Sequence, residues 1–315
     1  MTGEPGAGPP SPRSPATVPL SWPLHTDPAA FGDLPAPPDP VSARFAVLPI
    51  PYDGSATWKR GASRAPEAIL AASRQLERYD IETRTEPCAA GIVTMAPVTE
   101  AGSPEAQVDA TRAACLSLID AGKTVVGLGG DHSVAIGLVR AHAERYPGLN
   151  VLQIDAHADT RDTYEGSPCN HACIMARARE VAPVVQVGLR AIDRSELRGL
   201  DPARTFYAHR ITPFADPAQA WVQRVVARLD GPVYVTIDVD ALDPSEMPAT
   251  GTPEPGGLSY RQITRLLDHV ARRHQVVGFD VCELLPLPGL HAAEYLAARL
   301  VYQIMGYLVR EQRQD

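Results

Sequence analysis

The sequence predicts an α/β fold: a single domain on a mostly parallel sheet of about eight strands, with helices on both faces. Three observations predict it. Short apolar runs alternate with stretches carrying apolar residues at helical spacing, the runs are apolar throughout rather than at every second position, and several stop abruptly in aspartate or histidine. A strand that is hydrophobic on both sides belongs in a sheet covered twice, and strand-helix alternation makes such strands parallel.

Composition narrows the classes. With 315 residues, 44% hydrophobic and 21% charged, the chain can bury a substantial core. No fixed repeat period is visible, which argues against a solenoid. A net charge of −8 argues against a nucleic-acid partner, because phosphate contacts need clustered Lys and Arg. There is no basic-then-apolar leader and no run of eighteen apolar residues, so the expectation is a soluble, non-exported protein without a membrane partner. The five cysteines (Cys88, Cys115, Cys169, Cys173 and Cys282) are odd in number and irregularly spaced, which fits a reducing, cytoplasmic setting.

In chain order, residues 1–42 hold 12 of the 31 prolines and are expected to form a disordered arm. The alternative is a docking segment through Trp22 and Leu24. The folded domain is expected over 43–315. Phe45 to Ile50 reads as the first strand, and the turn residues Pro51 to Gly54 follow it. Thr57 to Gly61 is a loop able to hang over a pocket, and Ala65 to Ser73 is a helix with proline at its start. A second helix is expected over 103–121 with a stripe of Val108, Cys115, Leu116 and Ile119. Lys123 to Leu128 is a buried strand running into Gly129-Gly130-Asp131-His132-Ser133, where two glycines permit a tight backbone path. A helix over 134–145 follows. Further strands are expected at 150–154, 184–188, 205–208, 233–237 and 275–279, with helices near 218–229, 260–273 and 292–308.

The chemistry gathers where strands stop. Asp155-Ala156-His157-Ala158-Asp159 closes the run 150–154, and in extended backbone residues i, i+2 and i+4 face one way, so two carboxylates and an imidazole emerge together. Asp131-His132, Asp238 with Asp240 and Asp243, and Asp280 with Glu283 end three other strands. In parallel α/β sheets the ligand crevice lies at the carboxyl ends of strands, so these groups are expected to converge. His132, Asp155, His157, Asp159, Asp238 and Asp240 supply two imidazoles and four carboxylates. Four ionised aspartates in one dry cleft repel unless cations cancel them, and two divalent cations about 3.5–4 Å apart do so while lowering the pKa of a shared water. The oxygen-rich set favours Mn²⁺, with other divalent metals admitted.

Gly129-Gly130-Asp131-His132-Ser133, Asp155 to Asp159 and Asp238-Val239-Asp240-Ala241-Leu242-Asp243-Pro244 together resemble the ureohydrolase family, which includes arginase and agmatinase. The resemblance extends from about Phe45 to Leu308. It implies a binuclear manganese centre that hydrolyses guanidino groups to urea. By motif, it implies that Asp155 and Asp238 bridge the metals, with His132 and Asp159 completing one site and His157 and Asp240 the other. It further implies that Glu283 pairs with the substrate guanidinium and that His171 handles protons near the leaving amine, roles suited to a carboxylate fork and an imidazole. His171 stands in Asn170-His171-Ala172-Cys173, where agmatinases commonly continue the histidine with Gly-Thr; Cys169 and Cys173 beside it read as loop packing. The resemblance also implies a homo-oligomer, trimer or hexamer.

Gly251 to Leu258 resembles the agmatinase branch, making agmatine the expected substrate, cleaved to urea and putrescine. Arginine, guanidinobutyrate, guanidinopropionate and formiminoglutamate stay open, as does a catalytically silent binding protein. Tyr164, Arg161 and Asp193 are expected at the far end of the pocket. Acidic groups there suit a second cation, and Arg161 suits a carboxylate.

Overall fold

In a computed structural model, the structure describes residues 20–25, 30–34, 38–100, 102–211, 216 and 220–310. Eight strands form one sheet: β1 (Phe45–Ile50), β2 (Ile92–Thr94), β3 (Thr124–Gly129), β4 (Asn150–Ile154), β5 (Val184–Leu189), β6 (Thr205–Tyr207), β7 (Val233–Asp238) and β8 (Val276–Cys282). Every pairing is parallel, in the order β2-β1-β3-β8-β7-β4-β5-β6. The helices are α1 (Ala65–Ser73), α2 (Pro104–Asp120), α3 (Ala135–Arg145), α4 (Ile174–Arg179), α5 (Trp221–Val226), α6 (Tyr260–Arg273) and α7 (His291–Val309).

Strand residues alternate between two buried layers. Phe45 and Val47 of β1 pack with Val235, Ile237 and Phe279 under α1, α5, α6 and α7, whereas Ala46, Leu48 and Ile50 pack with α2, α3 and α4. This is the sheet buried on both faces that unbroken apolar runs require. Helix starts carry their caps: Ser103 accepts from the Ala106 N–H, and Ser259 forms a capping box with Gln262. The expected helix near 218–229 is α5, and Ala218 lies outside the described residues. β2 and α4 are too short for the hydrophobic pattern to announce.

Most of residues 1–42 lie outside the described residues. Within the rest, Phe31 is fully buried, its N–H donating to Thr94 Oγ1. Leu24 pairs antiparallel with Met95, and Trp22 Nε1 donates to the Ala96 carbonyl. Trp22 and Leu24 thus lie along the open edge of β2, an edge proteins commonly cover.

One buried histidine gives the fold a pH signature. His142 on α3 is fully buried, donates from Nδ1 to the Leu138 carbonyl at 2.8 Å, and is pushed down to about 4 by burial. A histidine held neutral in the native state and free to protonate near 6.5 when unfolded stabilises the fold fully above 6.5. That stability is lost as pH falls to 4. The loss is about 3 kcal/mol at 1.4 kcal/mol per unit. Urea unfolding of wild type and His142→Gln should therefore show their difference shrinking by that amount between pH 7 and 4; a constant difference would remove His142 as the cause.

Candidate metal centre

The six predicted ligands meet at the carboxyl ends of β3, β4 and β7. His132 opens a short turn after β3, capped by Asp131, which accepts from the Ser133 N–H at 3.1 Å. Gly130 makes this path possible: a Cβ there would lie 1.9 Å from the Tyr52 carbonyl oxygen. Asp155 follows β4 directly, Asp238 ends β7, and Asp240 lies in the next turn, its N–H donating to Asp238 Oδ1 at 2.8 Å. His132 Nδ1 lies 3.1 Å from Asp155 and Asp159 and 3.7 Å from Asp238. His157 Nδ1 lies 2.8 Å from Asp240 and 3.8 Å from Asp155. Two compact triads result, His132-Asp155-Asp238 and Asp155-His157-Asp240, with Asp155 common to both.

The comb geometry expected for residues 155–159 needs correction. β4 ends at Ile154, and Asp159 adopts φ +53, left-handed backbone that non-glycine residues rarely take. Asp159 therefore stands outside the two compact triads and reaches the cluster through His132 rather than as the third tooth of an extended strand.

Electrostatics favours cations here. Burial first, then the Asp159 and Asp240 charges, push Asp155 up to about 7, and burial followed by Asp240 and Asp155 raises Asp238 well above the carboxylate range. Burial opposes protonation of His157, yet Asp240 together with Asp155 and Asp159 outweighs it and holds the ring at about 10. The cleft thus gathers negative charge that, without metal, only protons relieve. Carboxylates and imidazole nitrogens in two triads sharing one member suit two divalent cations of the Mn, Fe or Zn range.

Polar residues behind the ligands orient them. Gln153, two residues before Asp155, donates from Nε2 to Asp155 Oδ2 at 2.7 Å. His132 Nε2 and Thr236 Oγ1 are 2.8 Å apart, and the Thr236 hydroxyl donates to Asp280 Oδ1, also at 2.8 Å. Since that hydroxyl proton goes to Asp280, His132 donates from Nε2, which makes Nδ1 the nitrogen that faces the aspartates and would meet a metal. Asp280 is not the cleft residue that a strand end at 279 predicts. β8 continues to Cys282, so Asp280 lies inside the sheet, fully buried, and also accepts from the Tyr234 hydroxyl. Thr236→Val should weaken metal binding at the His132 triad by about 10- to 100-fold, measured by titration calorimetry, while sparing the His157 triad. Equal loss at both would contradict this.

A cavity of about 410 Å³ opens onto the cluster. Its lining includes His157, Asp159, Asp238 and Asp240, together with the predicted Arg161, Tyr164, His171, Asp193 and Glu283. The loop expected to overhang a pocket contributes Thr57, Trp58 and Lys59, and Gly251 and Thr252 line the cavity as well. Glu283, at φ +66, accepts from the His132 N–H at 2.7 Å; burial first and the Asp131 carboxylate second push it well above the usual carboxylate range. The Arg161 guanidinium lies 4.3 Å from the Tyr164 ring centroid and 3.8 Å from Glu196. Asp193 Oδ1 accepts from the Ser195 N–H and hydroxyl, so one of its oxygens serves the turn. Arg190 donates to the carbonyls of Asp240 and Glu254 and clamps the chain after β7. Asp243 accepts from the Ser245, Gly256 and Gly257 N–H groups, a turn role. All five cysteines are free, and Cys169 and Cys173 are buried packing.

Sequence reasoning missed Gln153, Thr236, Glu196 and Ser55. For Gln153 and Thr236 a signal existed: each is a polar residue in an apolar run, two positions before a ligand and so on its side of the strand. Glu196 lies in a short 3-10 helix and Ser55 in a loop, and no local pattern encodes their pairing with Thr160 and Asp131.

Fold and site together point to the class of metal-dependent α/β hydrolases, with a candidate two-metal centre. The chain belongs to the arginase family, whose model matches residues 43–306. It is 45% identical over 280 residues to the N(1)-aminopropylagmatine ureohydrolase of Thermus thermophilus, covering 88% of this chain and 93% of that protein. It is 31% identical over 287 residues to the agmatinase of Pyrococcus horikoshii, covering 86% and 94%. Among solved structures, agmatine ureohydrolase of Thermoplasma volcanium superposes with a TM-score of 0.76 at 29% identity, covering 85% of this chain and 90% of that one.

Proposed function

We propose that this protein hydrolyses a guanidino compound with a second cation at its far end, agmatine or its aminopropyl-extended relative, to urea and a primary amine. The observation that carries the reading is a carboxylate, Glu283, on the wall of a cavity that meets the candidate metal cluster through His157, Asp159, Asp238 and Asp240. His132, Asp155, Asp159 and Asp238 would hold one metal, and Asp155, His157, Asp238 and Asp240 the other. Bound there, two divalent cations supply a water made nucleophilic at neutral pH. The His132 N–H holds Glu283 Oε1, which orients the other carboxylate oxygen for a guanidinium N–H. Asp159 is the carboxylate at the cavity that takes up a proton from the attacking water. His171 gives a proton to the amine nitrogen as its bond to the guanidinium carbon breaks.

The remaining lining supports a cationic tail. With Glu283 given to the guanidinium, Asp193 and Glu196 are the carboxylates left for that tail, facing Lys59 and Arg161. Both cations also lie over rings, Lys59 on Trp58 and Arg161 on Tyr164, which favours a polyamine chain over an α-carboxylate.

Manganese as the native metal is supported by the oxygen-rich donor set. A cytoplasmic setting and a place in polyamine metabolism accord with five free cysteines and with the names of the relatives. Among the described residues no helix is long and apolar enough to cross a membrane. A trimeric or hexameric homo-oligomer accords with exposed Tyr79, Ile81 and Tyr295. The deciding experiment loads purified protein with Mn²⁺ and assays a guanidino panel plus formiminoglutamate. Urea from agmatine or aminopropylagmatine is expected. Formamide from formiminoglutamate, or no product from any compound, would sink the reading.

A further inference from the structure

We propose that Ser55 is a positioning residue for His171: tied to the buried Asp131 carboxylate, it fixes the imidazole proton on Nδ1 and leaves Nε2 as the nitrogen that exchanges protons in the cavity. The proposal rests on the reading of His171 as the proton donor to the leaving amine.

The contacts bring together three segments far apart in the chain. Ser55 donates twice to Asp131 Oδ2, from its N–H and from its hydroxyl, both at 2.9 Å. Its Oγ accepts from the His171 N–H at 3.0 Å. The His171 ring closes back on the same residue, with Nδ1 2.9 Å from the Ser55 carbonyl oxygen and 3.2 Å from Oγ. Ser55 is 5% exposed and Asp131 fully buried, so water does not compete for these bonds.

Donor and acceptor counting then settles the tautomer. A carbonyl oxygen only accepts, so Nδ1 carries the hydrogen. The Ser55 hydroxyl has one proton, and it goes to the same Asp131 oxygen that accepts from the Ser55 N–H. Oγ is thereby left with lone pairs for the His171 N–H and for a share of Nδ1–H. Nδ1 is protonated whether the ring is neutral or cationic, and the proton that comes and goes sits on Nε2. As the C–N bond breaks, the Nε2 proton passes to the amine nitrogen, and Nε2 recovers a proton released by the attacking water. Asp131 behind Ser55 anchors this arrangement, and its other oxygen holds Ser133 at the turn that carries His132. Ser55 also begins the loop whose Ala56, Thr57, Trp58 and Lys59 line the cavity, so one residue sets both that wall and the orientation of the ring.

The test uses metal-loaded wild type, Ser55→Ala, Ser55→Thr, His171→Asn and the double variant Ser55→Ala/His171→Asn, with agmatine and aminopropylagmatine as substrates. Ser55→Ala should lower kcat about 10- to 100-fold with KM within about threefold and metal content unchanged, the cost of a misheld proton donor. Ser55→Thr, which keeps the hydroxyl, should recover most of the loss. In the His171→Asn background Ser55→Ala should cost less than about twofold, because the two residues act as a unit. Equal losses in both backgrounds, unchanged kcat in Ser55→Ala, or loss of metal would overturn the proposal. An inactive wild type overturns the proposed function, and full activity in His171→Asn overturns the proton-donor reading on which Ser55 depends. A measurement without variants covers failure of Ser55→Ala to fold: ¹⁵N NMR of zinc-loaded wild type should show the neutral His171 ring protonated at Nδ1, and an Nε2–H tautomer would refute the proposal whatever the kinetics.

Discussion

Asp155→Asn is expected to abolish metal binding in both triads and to lower urea release by about 10³-fold or more, the equivalent of some 4 kcal/mol of transition-state stabilisation. Asp155 is the one side chain common to His132-Asp155-Asp238 and Asp155-His157-Asp240. An amide there has one oxygen in place of two and turns an N–H toward a cation. Asp240→Asn, which touches only the second triad, should keep one equivalent of metal. Elemental analysis after dialysis, paired with a urea assay at saturating Mn²⁺, reads both effects. Two retained metals in Asp155→Asn would mean that the triads do not share this ligand.

The second large effect is expected from a methyl group. Gly130→Ala places a Cβ 1.9 Å from the Tyr52 carbonyl oxygen and within 2.9 Å of the Tyr52 nitrogen. These are backbone atoms, and they cannot swing aside as a side chain can. Either the loop after β1 or the turn after β3 must shift, and both are tied to the site: Gly130 N–H donates to the Ile50 carbonyl and Asp131 N–H to the Tyr52 carbonyl. A cost of about 3 kcal/mol, a fall in Tm of roughly 5–10 °C, follows from overpacking of this kind. Metal affinity of the His132 triad should fall with it. A melt within 1 °C of wild type with full metal content would show that the backbone accommodates the methyl freely.

Much of this architecture was legible in the chain because sheets buried twice leave a coarse signature. α1 and α6 fall on their expected residues, and β1, β4 and β7 fall within one residue of theirs. The candidate ligands were legible for a related reason: charged groups closing an apolar strand have little use in a core, so Asp155 and Asp238 stand out. What stayed hidden depends on contacts between distant segments. Asp280 looked like another strand-end carboxylate, since nothing local says that β8 runs two residues past it and that Tyr234 and Thr236 satisfy it. The left-handed turn at Asp159 follows from where His132 sits, 27 residues away. Ser55 looked like any loop serine until Asp131 and His171 were placed beside it.

The strand order carries a consequence for how the protein comes into being. β8 and β7 lie between β3 and β4, yet they are the last strands in the sequence. During synthesis the segments bearing His132 and Asp155 emerge long before the strands that separate and join them, and Asp238 and Asp240 arrive with the insertion itself. A chain interrupted before Val233 holds donors without a centre. The cluster can therefore be complete only once β7 has joined the sheet, so a full set of donors requires nearly the whole polypeptide.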